Sequence, residues 1–414
     1  MDRGRPGRRL QLWRVRRRDM QASLDVFLPL PLTRCGPSYT CGMLSRDMAG
    51  PDLDVRILTP RTRAFSVRPA KVEQSLPPLG RVVPYRWVKK TALDGFESRF
   101  VAAVKRRPQE RRAAYIWPDA SAGAISTLKN EGVLVFREMI NCCLAGAKPI
   151  LDEGYARLGV ASRHTITEAM AQAEEKGLHA VDYIFCPNAM VEDLLERQGI
   201  PTKKLIPASY GWEPSRLAGS HCLLKPADGP TFVFVGTICV RKGSHLLLDY
   251  WASSGVKGRL VLAGAIEPFI AERCAALLAR DDVVVLDYVK DIGALYRSAD
   301  VFAFPTLEEG GPQVTYEACG CALPIITTPM GVGRIVRHRR EGLVLDAYDR
   351  AGWIAGLREL AEDDAVRAAM AASARARAAL FHWDQVAWRR KRQLIERLSG
   401  RAFAPDDALI EATP

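Results

Sequence analysis

The residues of this 414-residue chain that could do chemistry gather in two segments. One runs from Val301 to Pro329 and reads Val-Phe-Ala-Phe-Pro-Thr-Leu-Glu308-Glu309-Gly310-Gly311-Pro312-Gln313-Val-Thr-Tyr-Glu317-Ala-Cys-Gly-Cys-Ala-Leu-Pro-Ile-Ile-Thr-Thr-Pro, in the order strand, loop, helix, strand. Gly310 and Gly311 allow close backbone approach, and Pro312 suits a first helical turn, where its missing N–H leaves no donor unsatisfied. A helix starting there directs free N–H groups and the positive end of its dipole at the carboxyl end of the preceding strand, where open α/β sheets bind ligands. An anion or a polar sugar fits such a place. Glu309 falls in the loop at the helix mouth and Glu317 one to two turns inside. Two glutamates at this spacing are commonly no more than a solvated face. Glu317, however, sits in Val-Thr-Tyr-Glu-Ala-Cys-Gly, a run of apolar and small residues. Burial of that helix would leave a costly carboxylate unless a hydroxyl-rich ligand satisfied it.

The other segment, Phe232 to Leu248, carries Gly236, Thr237, Arg241, Lys242 and Gly243 between an apolar strand pattern and a helical one. Two cations at a helix start oppose the dipole unless they share an anion, and a diphosphate is such an anion. The alternative is that both side chains extend into solvent.

These loops need elements to hold them. Short apolar runs predict strands at Leu24 to Leu28, Val55 to Leu58, Ala113 to Trp117, Val133 to Phe136 and Tyr183 to Cys186, alternating with helical stretches, which is the pattern of a parallel α/β domain. The signal weakens from Ala208 to Trp212, and Pro214, Gly219, Pro226, Gly229 and Pro230 mark a linker. A second series follows, with strands at Thr231 to Val235, Arg259 to Ala263, Val283 to Leu286, Val301 to Phe304 and Pro324 to Thr327. Two Rossmann-like domains in tandem are expected, at 20–222 and 229–380, followed by a helix within 381–400 and a tail at 401–414. Residues 1–19 carry eight arginines and read as a disordered basic arm, with Met20 as an alternative start.

Composition narrows the class. Hydrophobic and charged fractions of 48% and 26% are those of a globular protein, and no apolar run approaches the roughly 18 residues of a membrane span. The basic start lacks the apolar region of a secretory signal, so a cytoplasmic protein is expected. The ten cysteines are scattered and lack zinc-site spacing, consistent with reduced thiols. The net charge of +12 lies entirely before residue 220, because 24 basic residues balance 24 acidic ones from Ser220 onward. A basic first half suits an anionic partner such as a membrane leaflet, a lipid-phosphate acceptor or an acidic glycan, or is simply a solvated face.

Taken together, the loops resemble the family-4 glycosyltransferases, the retaining glycosyl transferases group 1. That family's signature is Gly-x5-Lys-Gly, then Glu-Gly-x6-Glu-Ala and Gly-x-Pro-(Val/Ile)-(Val/Ile). The corresponding positions here are Gly236 to Lys242-Gly243, Glu309-Gly310 to Glu317-Ala318, and Cys321-Ala-Leu-Pro-Ile-Ile. The resemblance spans about residues 231–345. It implies the GT-B fold, two Rossmann-like domains facing across a cleft, with a C-terminal helix returning to the first. It implies further that Lys242 neutralises the diphosphate of a UDP- or GDP-sugar, Glu317 holds the ribose hydroxyls, and Glu309 with the Gly310 and Gly311 amides holds the transferred hexosyl unit. Gly236, Thr237, Pro312 and Gln313 complete the donor site, and Lys242, Arg241 and Glu309 form its catalytic part. Members often carry arginine where this chain has Thr237, so Arg241 is expected to take over that role.

The first half matches less well. Cys35-Gly36-Pro37-Ser38-Tyr39-Thr40 could serve as the family's Gly-rich turn, but the histidine that many members place after a middle strand is replaced by Arg137-Glu138-Met139-Ile140-Asn141. Gly36, Arg137, Glu138 and Asn141 are therefore the candidates on the acceptor side of the cleft, and the six histidines read as structural. Neither a metal nor a cofactor is expected, since no Asp-x-Asp or His/Asp cluster follows a strand. The implied acceptor is a glycan or a lipid-linked one in surface polysaccharide or glycolipid assembly, with the first domain resting peripherally on the inner membrane face. A sugar-nucleotide epimerase or phosphorylase on the same fold is the main rival. A nicotinamide oxidoreductase lacks its G-x-G-x-x-G loop, and nucleic-acid binding by the arm lacks an aromatic platform.

Overall fold

The computed structural model describes residues 22–63, 65–108 and 111–400, so the basic arm, Met20 and the tail lie outside the described residues. Two parallel sheets form the frame. The first comprises β1 (Ala22–Phe27), β2 (Leu53–Thr59), β3 (Lys71–Gln74), β4 (Arg112–Ile116), β5 (Leu134–Glu138), β6 (Tyr183–Cys186) and β7 (Leu205–Pro207), in the spatial order β3-β2-β1-β4-β5-β6-β7. The second comprises β8 (Thr231–Val235), β9 (Arg259–Ala263), β10 (Val283–Leu286), β11 (Val301–Phe304), β12 (Ile325–Thr327) and β13 (Gly342–Val344), in the order β10-β9-β8-β11-β12-β13. Both orders reverse direction next to their first strand, as in doubly wound sheets.

Helices cover both faces of each sheet, so the central strands are apolar throughout and not alternating. In the first sheet Phe27, Ile116, Val135 and Ile184 point to one core with Phe96 and Phe100. Val26, Tyr115, Phe136 and Phe185 point to the other, as the two-residue period of a strand requires. That second core is continuous with the core of the other sheet. The ten cysteines are free thiols, seven of them buried, where they pack as small hydrophobic groups.

Two crossings join the halves, side by side. The chain leaves the first sheet through Trp212 and returns through Phe381 to Trp383, and the strands touch in parallel: the Trp212 amide donates to the Phe381 carbonyl at 3.0 Å and its indole to the Ala378 carbonyl at 2.8 Å. The returning helix, Trp383–Leu398, lies against the first domain's Gly36–Met48 helix. Its Arg390 is fully buried, pairs with Glu138 and Tyr115, and donates to the Ser209 carbonyl at 3.3 Å. The expected return of the last helix is thus observed.

Three short strands escape the sequence pattern. Lys71–Gln74 is an exposed edge strand of alternating polarity, while Leu205–Pro207 and Gly342–Val344 have three residues each, too few to show a period. One correction affects function. Strand β5 continues beyond Phe136 through Arg137 and Glu138, which pair with Ile184 and Phe185 of β6. These polar residues are strand residues and not a loop. Among the described residues no helix is long and apolar enough to cross a membrane.

Candidate active site

Strands β8 and β11 are neighbours in the second sheet, and the strand order reverses between them. The crevice between them is where a doubly wound sheet binds its ligand. Gly243 has φ +67°, a left-handed conformation, and a Cβ there would overlap the Pro305 carbonyl oxygen, so glycine lets the two loops touch. The Leu307 amide and Thr306 hydroxyl both donate to the Arg241 carbonyl, at 2.9 and 3.3 Å, and stitch the loops together.

The stitching brings together two adjacent pairs of charges, Arg241-Lys242 and Glu308-Glu309, that are far apart in sequence. Lys242 makes an ion pair with Glu309, and Arg241 Nη1 lies 3.3 Å from Glu308 Oε2 and 3.6 Å from Glu309 Oε1. Glu308 also accepts the amide of Cys142 at 3.0 Å, reaching across to the first domain. Burial, with help from neighbouring Arg241, pushes the Lys242 ammonium down to about 7, against the pull of Glu308. Both cations are therefore held by carboxylates.

The helix after β11 spans Gln313–Gly320, with Pro312 at its N-cap, one residue earlier than expected for a first-turn proline. Among the described residues the amides of Gly310, Gly311, Gln313 and Val314 donate to no protein group. Glu317, 5% exposed, is reached by Arg216 Nη1 at 3.4 Å and by the Tyr296 hydroxyl at 3.4 Å. Burial holds its carboxyl above the ordinary range, with Arg216 and Tyr296 opposing. Two long contacts leave this buried carboxylate with acceptor capacity to spare.

A cavity of about 810 Å³ lies over Lys242, Arg241, Arg216, Glu309 and Glu317 and is bounded on its far side by the first domain, through Gly36, Pro37, Tyr39, Thr40, Ile140, Asn141 and Tyr210. Gly236, Thr237, Arg241, Lys242, Glu309, Gly311, Pro312, Gln313 and Glu317 line it from the second domain. Gly36 has φ +56° and opens the Gly36–Met48 helix at the cleft. Gly310 does not line the cavity: a Cβ there would overlap the Ile140 carbonyl oxygen, so its smallness serves the approach of the two domains. The neighbouring Gly311 leaves room for the Tyr210 ring, 2.6 Å from where its Cβ would stand.

Arg137 and Glu138, expected on the acceptor side, are not in the cleft. Arg137 is 2% exposed and bonds Asp119 at 3.0 Å and Glu174 at 2.6 Å, and Glu138 is wholly buried with Arg390 and Tyr115. Their charges are satisfied by these partners, Arg137's within the first domain and Glu138's from the returning helix. Sequence reading passed over Arg216, Glu308, Tyr288 and Lys290, and named Tyr39 only as part of the Gly36 turn. The guanidinium of Arg216 stacks 4.7 Å from the Tyr39 ring centroid and so links that ring to Glu317 across the cleft. Its signal was hidden in a stretch rich in turn residues. Glu308 was legible as the neighbour of Glu309, and the exposed Tyr288 and Lys290 follow β10 at the carboxyl edge, where a ligand-facing loop belongs.

Residues 229–363 match the family model described as Glycosyl transferases group 1. A D-inositol 3-phosphate glycosyltransferase of Xylanimonas cellulosilytica is 32% identical over 171 residues, which are 39% of this chain and 41% of the relative. The chain thus spans less than half the length of the curated relatives it matches. Over nearly the whole chain the fold is shared with solved structures. The sucrose-phosphate synthase of Thermosynechococcus elongatus superposes with a TM-score of 0.65 at 19% identity, covering 92% of this chain and 100% of that one. Anabaena Alr3699/HepE in complex with UDP gives 0.62 at 14%, with coverage of 92% and 100%. The segment that carries both motif loops is therefore a glycosyl transferases group 1 domain, set within a chain of GT-B fold.

Proposed function

We propose that the protein is a retaining glycosyltransferase that moves a hexosyl unit from a nucleotide-diphosphate sugar to a glycan or lipid-linked acceptor, in surface polysaccharide or glycolipid synthesis. The observation that carries this reading is the meeting of Arg241, Lys242, Glu309 and Glu317 at the reversal point of the second sheet, inside a cavity whose other wall is the first domain. Lys242 and Arg241 would face the diphosphate, Glu317 the ribose and Glu309 the sugar. As the glycosidic bond breaks, negative charge grows on the leaving phosphate, where cations and helix amides fixed in a poorly solvated site stabilise it most. The leaving phosphate can itself take the acceptor proton on the same face of the sugar, so no protein nucleophile is needed. The UDP-bound neighbour structures favour a uridine donor.

Thermal unfolding with UDP, GDP and ADP tests the donor site. One nucleotide at about a hundred times its dissociation constant should stabilise the wild type by about 2.7 kcal/mol, several degrees for domains of this size. Glu317→Ala should abolish that shift while leaving the ligand-free transition in place. Failure of all three nucleotides to stabilise the wild type would remove the donor assignment.

A pH dependence follows from Lys242. In the empty site its proton leaves near pH 7 because burial disfavours the charge. A bound diphosphate favours the ammonium, so binding above that pH takes up a proton and weakens as pH rises. Nucleotide affinity should be level just below pH 7 and fall by up to about tenfold per unit from there toward pH 9. Isothermal titration across this range should show the slope in the wild type and its loss in Lys242→Met.

A further inference from the structure

Three of the four most exposed large apolar side chains of the described residues stand within nine residues of one another: Leu79 at 83%, Val82 at 82% and Trp87 at 69% exposure. They belong to the stretch from Leu76 to Leu93, which contains the short helix Pro78–Val82 and the helix Tyr85–Leu93. Between Leu76 and Leu93 the charged residues are Arg81, Arg86, Lys89 and Lys90, all exposed, and there is no aspartate or glutamate. Scattered exposed leucines are ordinary, but a group of large apolar side chains framed by charge of one sign points to an interaction surface.

The stretch is firmly mounted. Leu76 is buried and its amide donates to the Pro60 carbonyl at 3.1 Å, while Arg61 donates to the carbonyls of Arg81 and Val83 at 3.1 and 2.6 Å. These bonds fix it at the carboxyl ends of β2 and β3, the same end of the first sheet from which the Gly36 and Asn141 loops enter the cleft. The apolar side chains at this rim are exposed to solvent.

We infer that Leu79, Val82 and Trp87, flanked by Arg81, Arg86, Lys89 and Lys90, form a docking surface for an anionic lipid bilayer beside the acceptor side of the cleft. Apolar tips enter the headgroup boundary while cationic stems reach lipid phosphates, and a tryptophan suits that interface because one end of its ring system is apolar and the other polar. Three side chains are too few for a protein interface of ordinary size, which needs roughly 800 Å² per partner. The assignment names the surface that would present a lipid-linked acceptor and rests on the proposed function only for that purpose, since vesicle binding is measured without turnover.

The test is co-sedimentation of the full chain with vesicles of phosphatidylcholine alone and of phosphatidylcholine with phosphatidylglycerol, comparing the wild type with Leu79→Ser/Val82→Ser/Trp87→Ser. The wild type should bind the anionic vesicles and the triple variant at least about tenfold more weakly, with Lys89→Glu/Lys90→Glu also weakened at low salt. All three proteins should keep their nucleotide-induced thermal shift, which shows that they are folded. Equal vesicle binding by wild type and triple variant would overturn the inference and point to the basic residues before Ala22. So would a wild type that binds no vesicles, or one that is a dimer in solution and becomes a monomer in the triple variant. A wild type that binds vesicles through these residues but is stabilised by no nucleotide supports the docking surface and counts against the donor assignment instead.

Discussion

Replacement of Lys242 by alanine is expected to lower kcat/KM for sugar transfer about a thousandfold, the magnitude found when one fixed group facing developing charge is removed. The geometry gives two reasons for a large effect. In the proposed site the ammonium would face the leaving phosphate, and in the structure it lines the cavity paired with Glu309. The alanine variant therefore loses a cation and leaves a carboxylate beside the donor's own negative charge. Arg241 is committed to Glu308 and cannot move without releasing that carboxylate, so it compensates poorly. Adding Glu309→Gln to the variant should recover part of the nucleotide affinity but little of the turnover, because repulsion is relieved and the cation is still missing. Steady-state transfer or donor hydrolysis, measured beside nucleotide binding, separates the two. Turnover by a well-folded Lys242→Ala protein at the wild-type rate would remove the leaving-group role.

The largest expected loss of stability lies behind the cavity wall, at Arg390, which donates to the Ser209 carbonyl next to the cavity-lining Tyr210. Its guanidinium and the Glu138 carboxylate are both wholly buried, with the Tyr115 hydroxyl bonded to each. Burial drives the Glu138 carboxyl up, and Arg390, Tyr115 and Tyr210 hold it down. Removing one member of such a pair strands the other charge without water. Arg390→Ala should therefore destabilise the protein by about 3 to 5 kcal/mol, a fall of roughly 10 °C in Tm for a domain of this size. Replacing both partners, as in Glu138→Leu/Arg390→Met, should be less harmful than either single change, since no charge is left uncompensated. Thermal unfolding of the three variants tests this, and a double variant worse than both singles would show that the pair contributes more than mutual neutralisation.

How much of this was legible in the sequence depended on whether local pattern or distant contact decides a residue's surroundings. The long parallel strands were readable because burial on both faces makes them continuous apolar runs, and Thr231–Val235, Arg259–Ala263 and Val301–Phe304 stand where expected. Gly243 and Gly311 were readable because close approach leaves glycine few substitutes. Glu138 misled for the converse reason. Its partner Arg390 lies 252 residues away, and nothing local distinguishes a carboxylate at a strand's end from one in a catalytic loop. Arg216 was missed for a similar reason, because the contacts that matter, Tyr39 and Glu317, come from different domains and meet only when the cleft is formed.

The returning helix also has a consequence for synthesis on the ribosome. A first domain made entirely of early sequence could fold as soon as it emerged, which is how successive domains generally mature. Here one wall of the Gly36–Met48 helix and the counter-charge for Glu138 are supplied by Trp383–Leu398. Until that segment leaves the exit tunnel, the nascent first domain carries an open apolar flank and a buried acid without its base. The second domain draws its sheet from residues 231–344 and can consolidate before then. The second domain thus has all its strands translated before the first has its last helix, although the first begins earlier.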